Sequence, residues 1–517
     1  MIILSAEQMQ RFDRITIEEI GVPGIVLMEN AGIGCVNIIL NEFIQEIKKG
    51  ILIIAGPGNN GGDGFVIARH LFLKNYDVKV VILSKKEKFK GDALLNLRAI
   101  LGLGLDVTEI TSENELQRIT DLFNWPGLIV DSIFGTGLKR ELTGHFRGVV
   151  EQINSADAKV FSVDIPSGLS SDTGKVLGIC VKADVTGTMA FAKIGHVNYP
   201  GRLYTGKLHI IDIGIPKSIC NKENIKGEFF ELDDCKSLFH LRPVDGHKGT
   251  FGHVLIVGGS RGKTGAVCLS AIGALRAGAG LVTVASPRSS QFIIAQKLTE
   301  AMTEGLSESS DGQPIKEAFD ELMKLVERKK AACIGPGLGL SDEAFTFSQK
   351  VAVYCPVPLV IDADALTALT GCVEILKDAK SERILTPHPG EMARLLRCTA
   401  KDVQENRLEV AITLSRDTGA VVVLKGYSTI IASPTGRFSI NSSGNSGMGT
   451  GGMGDTLTGI IGALLAQGYN AFDAARIGVF AHGLSADYAL QIKGPFGYTA
   501  TEAANLLPKV WQRINVG

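Results

Sequence analysis

The sequence has no surplus of charge of either sign and no long apolar run, and both absences narrow what the chain can be. Its 517 residues include 53 Lys and Arg against 54 Asp and Glu, a formal net charge of −1 at pH 7. Such a balance gives no electrostatic reason to expect binding to nucleic acid or to a membrane surface. No uninterrupted apolar run reaches the roughly 18 residues typical of a membrane-spanning helix, so no such helix is expected.

Cysteine is present but forms no recognisable site. None of the nine cysteines belongs to a C-x-x-C pair, and no close pair with histidine occurs. This pattern disfavours both a zinc site and a disulfide framework. The opening segment MIILSAEQMQRF has neither the basic start nor the long apolar region of a signal peptide. We therefore expect a cytoplasmic protein with reduced thiols.

Two sets of short apolar segments alternate with helical stretches along the chain. The first set lies between residues 51 and 214 and the second between residues 253 and 434. Buried apolar strands that alternate with helices predict a parallel sheet covered on both faces. The polar stretch 216–228 separates the sets. The predicted fold class is therefore α/β, with one domain over 1–221 and a second over 222–517.

Glycine stands out in the composition: 61 of 517 residues, about 12 % against a usual ~7 %. The segment AGPGNNGGDG (55–64) follows a predicted strand and opens a helix, and its spacing fits the dinucleotide-binding pattern G-x-G-x-x-G. The acid expected after the second strand is absent, because Ser84-Lys85-Lys86 stands there. The segment therefore favours a phosphate-bearing ligand other than a standard bound NAD.

Polar side chains also follow later strands of the first domain. Asp131 opens VDSIFGTGL, and Asp164 and Ser167 lie in VDIPSGL. Ligands of open α/β sheets bind outside the carboxyl ends of the strands, so these residues are candidates for one site. The loop FGTGLKR (134–140) offers backbone N–H groups and two cations to a phosphate. The alternative for Asp131 is a helix cap or a salt-bridge partner.

Three strand ends of the second domain carry candidate groups. GGSRGKTGA (258–266) resembles a P-loop, but Val257 stands where the first glycine is required, which excludes nucleotide hydrolysis of that type. LTPHPGE (385–391) holds His388 between two prolines, a rigid setting suited to a ligand contact. LKGYST (424–429) follows a strand with a cation and small donors, as a phosphate contact would.

The densest glycine run, GNSGMGTGGMGDTLTG (444–459), contains one carboxylate, Asp455, and opens a predicted helix. Glycine costs backbone entropy, so the run needs a compensating use. Backbone N–H groups at a helix N-terminus form an anion site. A carboxylate beside a bound phosphate can accept a proton from an attacking hydroxyl or hold a metal ion. The alternative is a tight turn in which Asp455 caps the helix.

Together, in this order, these motifs resemble the bifunctional NAD(P)H-hydrate repair enzymes over essentially the whole chain. GPGNNGGDG, VDSIFGTGL and DIPSGL resemble the N-terminal hydrate epimerase, and LTPHPGEMARL and GGMGDTLTG resemble the C-terminal dehydratase. The resemblance implies a Rossmann-like parallel sheet followed by a ribokinase-like domain. It implies epimerisation at C6 of hydrated NADH and NADPH, and ADP-dependent dehydration of the S epimer that releases AMP and phosphate.

For the epimerase domain, the resemblance implies Asp164 as the acid or base and a potassium ion held by Asn60, Asp131 and Ser167. The residues it implies around the hydrate are Asn59, Asn60, Gly61, Gly62, Asp63, Gly135, Thr136, Gly137, Leu138, Lys139, Arg140, Glu141 and Asp164.

For the dehydratase domain, the resemblance implies Asp455 as the catalytic base, with the Gly449–Gly454 amides on the transferred phosphoryl group. The residues it implies at the hydrate are Ala266, Gly337, His388 and Asp455, and those at ADP are Lys425, Gly426, Tyr427, Ser428, Thr429 and Gly454. Mg²⁺ is expected with the nucleotide.

Two interpretations stay open at this point. The first is the repair enzyme, with NADHX, NADPHX and ADP as small-molecule partners, no nucleic acid or membrane partner, and self-association into a homo-oligomer. The second is a ribokinase-like small-molecule kinase with an N-terminal ligand-binding module, because the G-x-G-D loop is shared across that class. A kinase returns a stable phosphorylated product, whereas a dehydratase releases free phosphate.

Overall fold

The computed structural model describes residues 1–515, without the side chains of residues 221 and 222. The chain forms two compact units, Ile2–Gly227 and a second that begins at Glu228 and includes Met1. The predicted boundary lies between residues 221 and 222, whose side chains are outside the described part of the chain. The two units instead divide after Gly227.

The N-terminal unit alternates strands and helices. Its strands are β1 (Ile2–Leu4), β2 (Ile51–Ala55), β3 (Val78–Ile82), β4 (Val107–Glu109), β5 (Leu128–Ser132), β6 (Lys159–Val163), β7 (Val185–Met189), β8 (Ala192–Lys193) and β9 (Lys207–Ile211). Its α-helices are α1 (Ala6–Arg14), α2 (Gly24–Glu42), α3 (Asn59–Leu73), α4 (Gly91–Gly102), α5 (Gly144–Ser155), α6 (Ile194–Val197), α7 (Arg202–Thr205) and α8 (Ile219–Lys222). A π-helical turn covers Ile15–Glu19, and 3₁₀ segments cover Glu46–Lys49, Lys86–Lys88 and Glu113–Asn124.

Seven strands of this unit form one parallel sheet in the order β4-β3-β2-β5-β6-β7-β9. The chain adds β3 and β4 on one side of β2, then returns and adds β5 and its successors on the other. The carboxyl ends of β2 and β5 therefore flank the point where the strand order reverses, which is where open α/β sheets bind ligands. The short strands β1 and β8 pair in parallel, with Leu4 opposite Lys193.

Helix α2 is apolar around most of its surface. An 18-residue window of it has a mean hydropathy of 1.4, so by length and composition alone it could cross a membrane. Because polar residues are scattered along this helix, no uninterrupted apolar run marks it in the sequence. Leu27, Ala31, Cys35 and Ile39 are buried in the same apolar cluster as β2 and β3. This face packs as a core helix of a globular domain does.

The C-terminal unit begins with β10 (Gly227–Phe230). Its further strands are β11 (His253–Val257), β12 (Leu281–Pro287), β13 (Met302–Leu306), β14 (Ala331–Ile334), β15 (Leu359–Ile361), β16 (Arg383–Leu385), β17 (Val421–Leu424), β18 (Ile430–Ala432) and β19 (Phe438–Asn441). Its α-helices are α9 (Leu232–Leu238), α10 (Thr264–Arg276), α11 (Arg288–Lys297), α12 (Ala318–Val326), α13 (Asp342–Tyr354), α14 (Ala363–Ala368), α15 (Pro389–Leu396), α16 (Ala400–Glu405), α17 (Arg407–Thr418), α18 (Met453–Ala466), α19 (Ala471–Lys493), α20 (Ala500–Asn505) and α21 (Leu507–Asn515), with 3₁₀ segments at Val373–Asp378 and Ser446–Met448.

The sheet of this unit runs in the order β13-β12-β11-β14-β15-β16-β17-β18-β19, with β10 beside β19. Strands β11 to β17 pair in parallel, but β17, β18 and β19 pair antiparallel. The segment between β17 and β18 is too short for a crossover helix, so the chain must turn back on itself there. The strand order reverses between β11 and β14, so a second ligand crevice is expected at their carboxyl ends.

Helix α18 crosses the core of the C-terminal unit in backbone contact with α10. A Cβ on Gly459 would lie 1.8 Å from the carbonyl oxygen of Ser270, and one on Gly273 would lie 2.4 Å from that of Thr456. Any larger residue at either glycine would force the helices apart. Part of the glycine run therefore serves packing rather than a ligand.

Candidate active sites

A cavity of about 550 Å³ opens in the N-terminal unit at the carboxyl ends of β2, β5 and β6. The predicted hydrate-site residues that line it are Asn59, Asn60, Asp63, Gly135, Thr136, Gly137, Leu138 and Asp164. Those that do not line it are the buried Gly61 and Gly62 and the exposed Lys139, Arg140 and Glu141. Most of the residues predicted from their positions at strand ends therefore line one cavity.

Two glycines of the first motif are required by packing. A Cβ on Gly56 would lie 1.9 Å from the carbonyl oxygen of Ile133, and one on Gly61 would lie 2.0 Å from that of Gly56. Gly58 has open space around it and borders the cavity. The turn thus brings the strand ends of β2 and β5 into backbone contact and leaves one glycine facing a ligand.

Asp164 follows β6 with a φ of +65°, which a non-glycine residue rarely adopts. Its Oδ1 accepts hydrogen bonds from Nζ of Lys193 at 2.7 Å and from Oγ1 of Thr188 at 3.2 Å. Its Oδ2 accepts one from the backbone N of Thr136 at 3.2 Å, and Nε2 of His196 donates to its main-chain carbonyl at 2.8 Å. These contacts hold the strained residue in one position.

Lys193 and His196 form a fixed support for Asp164. The Lys193 ammonium, with a side chain only 1 % exposed, also donates to Oγ1 of Thr188 at 2.8 Å and to the carbonyl oxygen of Met189 at 3.2 Å. The backbone N of Lys193 donates to Nδ1 of His196 at 2.9 Å, so the imidazole carries its proton on Nε2. Burial, with the Lys193 charge, lowers the pKa of His196 to about 4. The imidazole is therefore neutral at neutral pH.

Four carboxyl groups, those of Asp13, Asp63, Asp92 and Asp164, line this cavity with that one ammonium. Burial opposes ionisation of Asp164, but the Lys193 ammonium outweighs it and the pKa of Asp164 lies below its usual value. Burial raises the pKa of Asp13 to about 6, with Lys193 opposing and the Asp164 charge adding to the rise. Burial and the charges of Asp164 and Asp13 hold the pKa of Asp63 well above its usual range. One site thus contains a carboxylate whose pKa is lowered beside carboxyl groups whose pKa values are raised.

Asp131, Ser167 and Asn60, the predicted potassium ligands, lie beside this cavity. Asp131 is fully buried and accepts hydrogen bonds from Oγ of Ser167 at 2.6 Å and from the backbone N of Ser167 and Oγ of Ser162, each at 2.9 Å. Burial raises the pKa of Asp131, and these hydrogen bonds oppose the rise. Both amide atoms of the buried Asn60 lack a hydrogen-bond partner among residues 1–515. Hard oxygen donors and one unpartnered amide oxygen fit an alkali cation.

In the C-terminal unit, Asp455 lies in the first turn of α18, and its neighbour Gly454 faces Lys425. A Cβ on Gly454 would lie 3.3 Å from Nζ of Lys425. That Nζ forms an ion pair with Oδ1 of Asp362 at 2.9 Å and lies 3.8 Å from Oε2 of Glu391. The structure therefore brings three predicted residues together with two acids that were not predicted.

Asp362, which follows β15, is 2 % exposed and fully engaged by donors. Besides Lys425, its Oδ1 accepts a hydrogen bond from Oγ1 of Thr386 and its Oδ2 one from Oγ1 of Thr458, each at 2.8 Å. By contrast, the carboxyl of Asp455 makes no hydrogen bond within the described part of the chain. Burial and the Asp362 charge raise the pKa of Asp455 to about 6, against the opposing charge of Lys425. An open carboxylate with such a pKa is suited to accept a proton near neutral pH.

The glycine loop before Asp455 is braced at one end and open in the middle. Asp487 accepts hydrogen bonds from the backbone N of Gly444 and from Nδ2 of Asn445, each at 2.9 Å. The hydroxyl of Tyr498 donates to Oδ1 of Asn445 at 2.6 Å. Around Gly451, by contrast, no atom lies within 4 Å of where a Cβ would stand. The loop is thus held in place while its centre stays accessible to a ligand.

The remaining predicted hydrate contacts lie at neighbouring strand ends. His388 accepts the backbone N–H groups of Gly390 at 3.0 Å and Glu391 at 3.4 Å on Nδ1, so it caps α15. Its half-exposed ring places Nε2 3.6 Å from Oε1 of Glu391. Gly337 has a φ of +58°, and a Cβ on it would lie 3.3 Å from the side chain of Ala266. Gly337 and Ala266 are therefore neighbours at the strand-order reversal.

The predicted nucleotide segment Gly426–Thr429 forms the turn between β17 and β18. Ser428 has a φ of +55° and a buried Oγ without a partner among residues 1–515. Oγ1 of Thr429 donates to the carbonyl oxygen of Gly426 at 2.9 Å. Tyr427 is exposed. The turn is thus fixed by a hydrogen bond of its own and holds one buried hydroxyl with no partner among residues 1–515.

Relatives match the chain along almost its whole length. The bifunctional NAD(P)H-hydrate repair enzyme Nnr of Moorella thermoacetica is 42 % identical over 99 % of this chain and 97 % of its own. The chain belongs to the family of bifunctional NAD(P)H-hydrate repair enzymes. Members from Thermofilum pendens and Escherichia coli K12 are 37 % and 33 % identical over 99 % and 98 % of this chain, and over 97 % and 93 % of their own.

Each unit also matches a family model of its own. Residues 24–195 match the YjeF-related protein N-terminus, and residues 254–509 match the NAD(P)H-hydrate dehydratase. A crystal structure of the ADP/ATP-dependent NAD(P)H-hydrate dehydratase of Bacillus subtilis, co-crystallised with ATP and Mg²⁺, covers 55 % of this chain and 98 % of its own, with 30 % identity and a TM-score of 0.49. Membership of the repair family confirms the expected fold class and favours a repair enzyme over a small-molecule kinase.

Sequence reasoning missed several residues that organise these sites. Asp362 ends the segment PLVID in the same way that Asp131 ends LIVD, so the same strand-end signal marks it. Lys193 ends the short strand β8 and His196 lies in α6, where no such signal occurs, and Asp13 lies in a helix whose other residues are ordinary. Only the packing of distant segments shows that these three groups meet Asp164.

Proposed function

We propose that this chain restores hydrated NADH and NADPH through two separate sites. The N-terminal unit interconverts the C6 epimers, and the C-terminal unit uses ADP to dehydrate the S epimer. One observation carries the proposal: each unit presents its own carboxylate, Asp164 or Asp455, with a shifted pKa at the strand ends of its own sheet. Full-length similarity to the repair family supports the pairing of the two activities.

In the epimerase, Asp164 is the group that exchanges a proton with the C6 hydroxyl. The Lys193 ammonium keeps its carboxylate ionised, so Asp164 can act as a base at neutral pH. The hydrogen bonds from Thr136 to Oδ2 of Asp164 and from His196 to its main-chain carbonyl fix the direction of the Asp164 carboxylate. The cavity of about 550 Å³ has the size of a small-molecule site.

Asn60, Asp131 and Ser167 would hold a potassium ion beside the same cavity. Such an ion would supply fixed positive charge to oxygen atoms of the bound hydrate. We expect Asp131→Ala to slow epimerisation and to leave the ADP-dependent step intact, because the two sites lie in different units. The melting temperature of the wild-type chain should be higher in KCl than in choline chloride, and that of the variant should be the same in both salts. Epimer exchange at the wild-type rate in the variant would remove the assignment.

In the dehydratase, Asp455 would take the proton of the C6 hydroxyl while the hydroxyl oxygen attacks the terminal phosphorus of ADP, and AMP leaves. The C6–O bond then breaks, phosphate departs with the bonding pair, and the C5 proton passes to solvent water as the C5=C6 double bond forms. Phosphate is a far better leaving group than hydroxide, which is why the nucleotide is needed. The backbone N–H groups of Gly449–Gly454 would stabilise the charge on the transferred group.

The nucleotide and the hydrate would approach from neighbouring strand ends. Lys425 and the Gly426–Thr429 turn, with Gly454, would contact ADP, and Ala266, Gly337 and His388 would contact the hydrate. Among the described residues, no three His, Cys, Asp or Glu side chains form a metal-binding group. Mg²⁺ commonly binds through substrate phosphates and one or two carboxylates, so it would enter with the nucleotide and neutralise phosphate charge.

The decisive test follows reduced-nicotinamide absorbance in a mixture of both NADPH-hydrate epimers. With ADP, absorbance should rise until both epimers are consumed, and free phosphate and AMP should appear in equal amounts. Without ADP, only exchange between epimers should occur. ATP and the NADH hydrate, run in parallel, give the nucleotide and substrate preferences. A stable phosphorylated product without recovery of absorbance would indicate the kinase instead.

We also propose that the chain works in the cytoplasm, because its nine cysteines are all free, as a reducing compartment allows. Self-association stays a prediction, which light scattering of the purified chain would test.

A further inference from the structure

A second titratable carboxyl of the N-terminal cavity has no role in the chemistry described above. Asp13 lies in the last turn of α1, is half-buried, and lines the same cavity as Asp164. The charged groups that line this cavity from other elements are Asp63 on α3, Asp92 on α4, Asp164 after β6 and Lys193 of β8. Among the described residues no hydrogen bond to the Asp13 carboxyl is found, and the residue faces the cavity.

We propose that Asp13 is a second catalytic residue of the epimerase, an acid that gives a proton to the substrate while Asp164 takes one. The inference rests on the proposed epimerase function and adds a partner to its base. Two carboxyl groups in one cavity are useful to a reaction that must both remove and deliver a proton.

Epimerisation of a carbon that bears both a hydroxyl and a ring nitrogen needs such a pair. Asp164 removes the proton of the C6 hydroxyl, a C6=O double bond forms, and the C6–N1 bond breaks with its electron pair moving to N1. The Asp13 carboxyl protonates N1, which gives an open-chain aldehyde. After rotation about C5–C6, N1 attacks the other face of the carbonyl. The N1 proton then returns to Asp13 and the new hydroxyl takes its proton from Asp164, so both groups are regenerated and no other reagent is consumed.

Asp13 suits the donor role better than Asp63, another carboxyl of the cavity whose pKa is raised. The pKa of Asp13 is raised to about 6, chiefly by burial, so the group can release and recover a proton near neutral pH. The pKa of Asp63 lies well above its usual range through burial and two neighbouring acids, so it releases a proton less readily. Asp164, held ionised by Lys193, provides the complementary base.

The experiment starts from the purified R epimer without ADP and follows the appearance of the S epimer by chromatography, with the uncatalysed exchange subtracted. Asp13→Asn keeps the shape but cannot donate a proton, so exchange should slow by a factor on the order of 10²–10⁴. Asp13→Glu retains an acid and should restore part of the rate. Glu7→Gln removes an exposed carboxylate from the same helix and should exchange the epimers as the wild type does. The ADP-dependent activity of the same chains serves as an internal measure of folding.

The pH dependence separates a proton donor from a structural role. In the wild type, exchange should fall as pH rises above about 6, because Asp13 loses its proton there. In Asp13→Asn this fall should be absent. Exchange by Asp13→Asn at the wild-type rate, or slower exchange that keeps the fall, would overturn the inference while the epimerase proposal stands. A wild-type chain that does not exchange the epimers would overturn both.

Discussion

Replacement of Asp455 by asparagine should stabilise the protein and disable the dehydratase at the same time. Asparagine keeps the shape of the side chain but cannot accept a proton. Nucleotide-dependent repair should therefore fall by a factor on the order of 10²–10⁴. Stability should rise because the ionised carboxylate is held in a buried site beside Asp362, where its charge is unfavourable.

The magnitude follows from the pKa of Asp455. The folded chain holds this pKa at about 6 against 3.8 for an unperturbed aspartate. Between these values the folded chain keeps the proton that the unfolded chain has lost, so the wild type loses stability as pH rises from 3.8 to about 6. A difference of about two pKa units corresponds to about 3 kcal/mol, present in full above pH 6 and absent below pH 4.

Thermal unfolding of the two proteins at pH 7.5 and pH 4 measures the effect. A gain of about 3 kcal/mol raises the melting temperature by roughly 5–10 °C for a unit of this size. Asp362→Asn is the matched control, because it removes one carboxylate from the same site but deprives the Lys425 ammonium of its nearer carboxylate and leaves only Glu391. The control should lose stability, by about 3–5 kcal/mol.

The reasoning about Asp455 would be refuted by a melting temperature of Asp455→Asn at or below that of the wild type at pH 7.5. It would also be refuted by an equal gain at pH 4, because a gain that does not depend on pH cannot come from the ionised carboxylate.

Further substitutions test the other assignments. Asp164→Asn should leave about half of a mixed-epimer substrate repaired quickly and the rest limited by spontaneous exchange; complete fast repair, read from absorbance, would contradict its role. Lys425→Gln should raise the KM for ADP more than that for the hydrate in steady-state assays, and equal changes would point to a structural role. Gly459→Ala should lower the melting temperature strongly, because its Cβ would lie 1.8 Å from the carbonyl oxygen of Ser270. A melting temperature of Gly459→Ala equal to that of the wild type would refute the packing argument. Gly451→Ala, whose Cβ would meet no atom within 4 Å, should fold normally and weaken nucleotide binding.

Local sequence chemistry was enough to predict the elements that carry the principal motifs. The short apolar segments between residues 51 and 214 and between residues 253 and 434 predicted the strands of two sheets, because β-branched side chains fit a buried pleated strand. Glycine followed by an apolar helical repeat predicted the starts of α3 at Asn59 and α18 at Met453, close to where the structure has them. These signals lie within a few residues of one another, so no tertiary contact is needed to recognise them.

Elements with weaker local signals escaped prediction. β7 (Val185–Met189) has alternating threonines and a glycine, yet all five of its residues are buried between β6 and β9. β4 is only three residues long and half-buried, and it forms by pairing with β3. The antiparallel return of β18 depends on the length of its turn. For β7 and β4, the neighbouring strands rather than local propensity decide the structure.

By itself, the sequence determined the α/β architecture and the family, and it predicted two principal acids, Asp164 and Asp455. Their protonation was decided by tertiary structure alone. Lys193 reaches Asp164 across 29 positions of the chain, and Lys425 reaches Asp362 across 63. A pKa depends on burial and on charges within a few ångströms, and those distances exist only after separate strands have come together in a sheet.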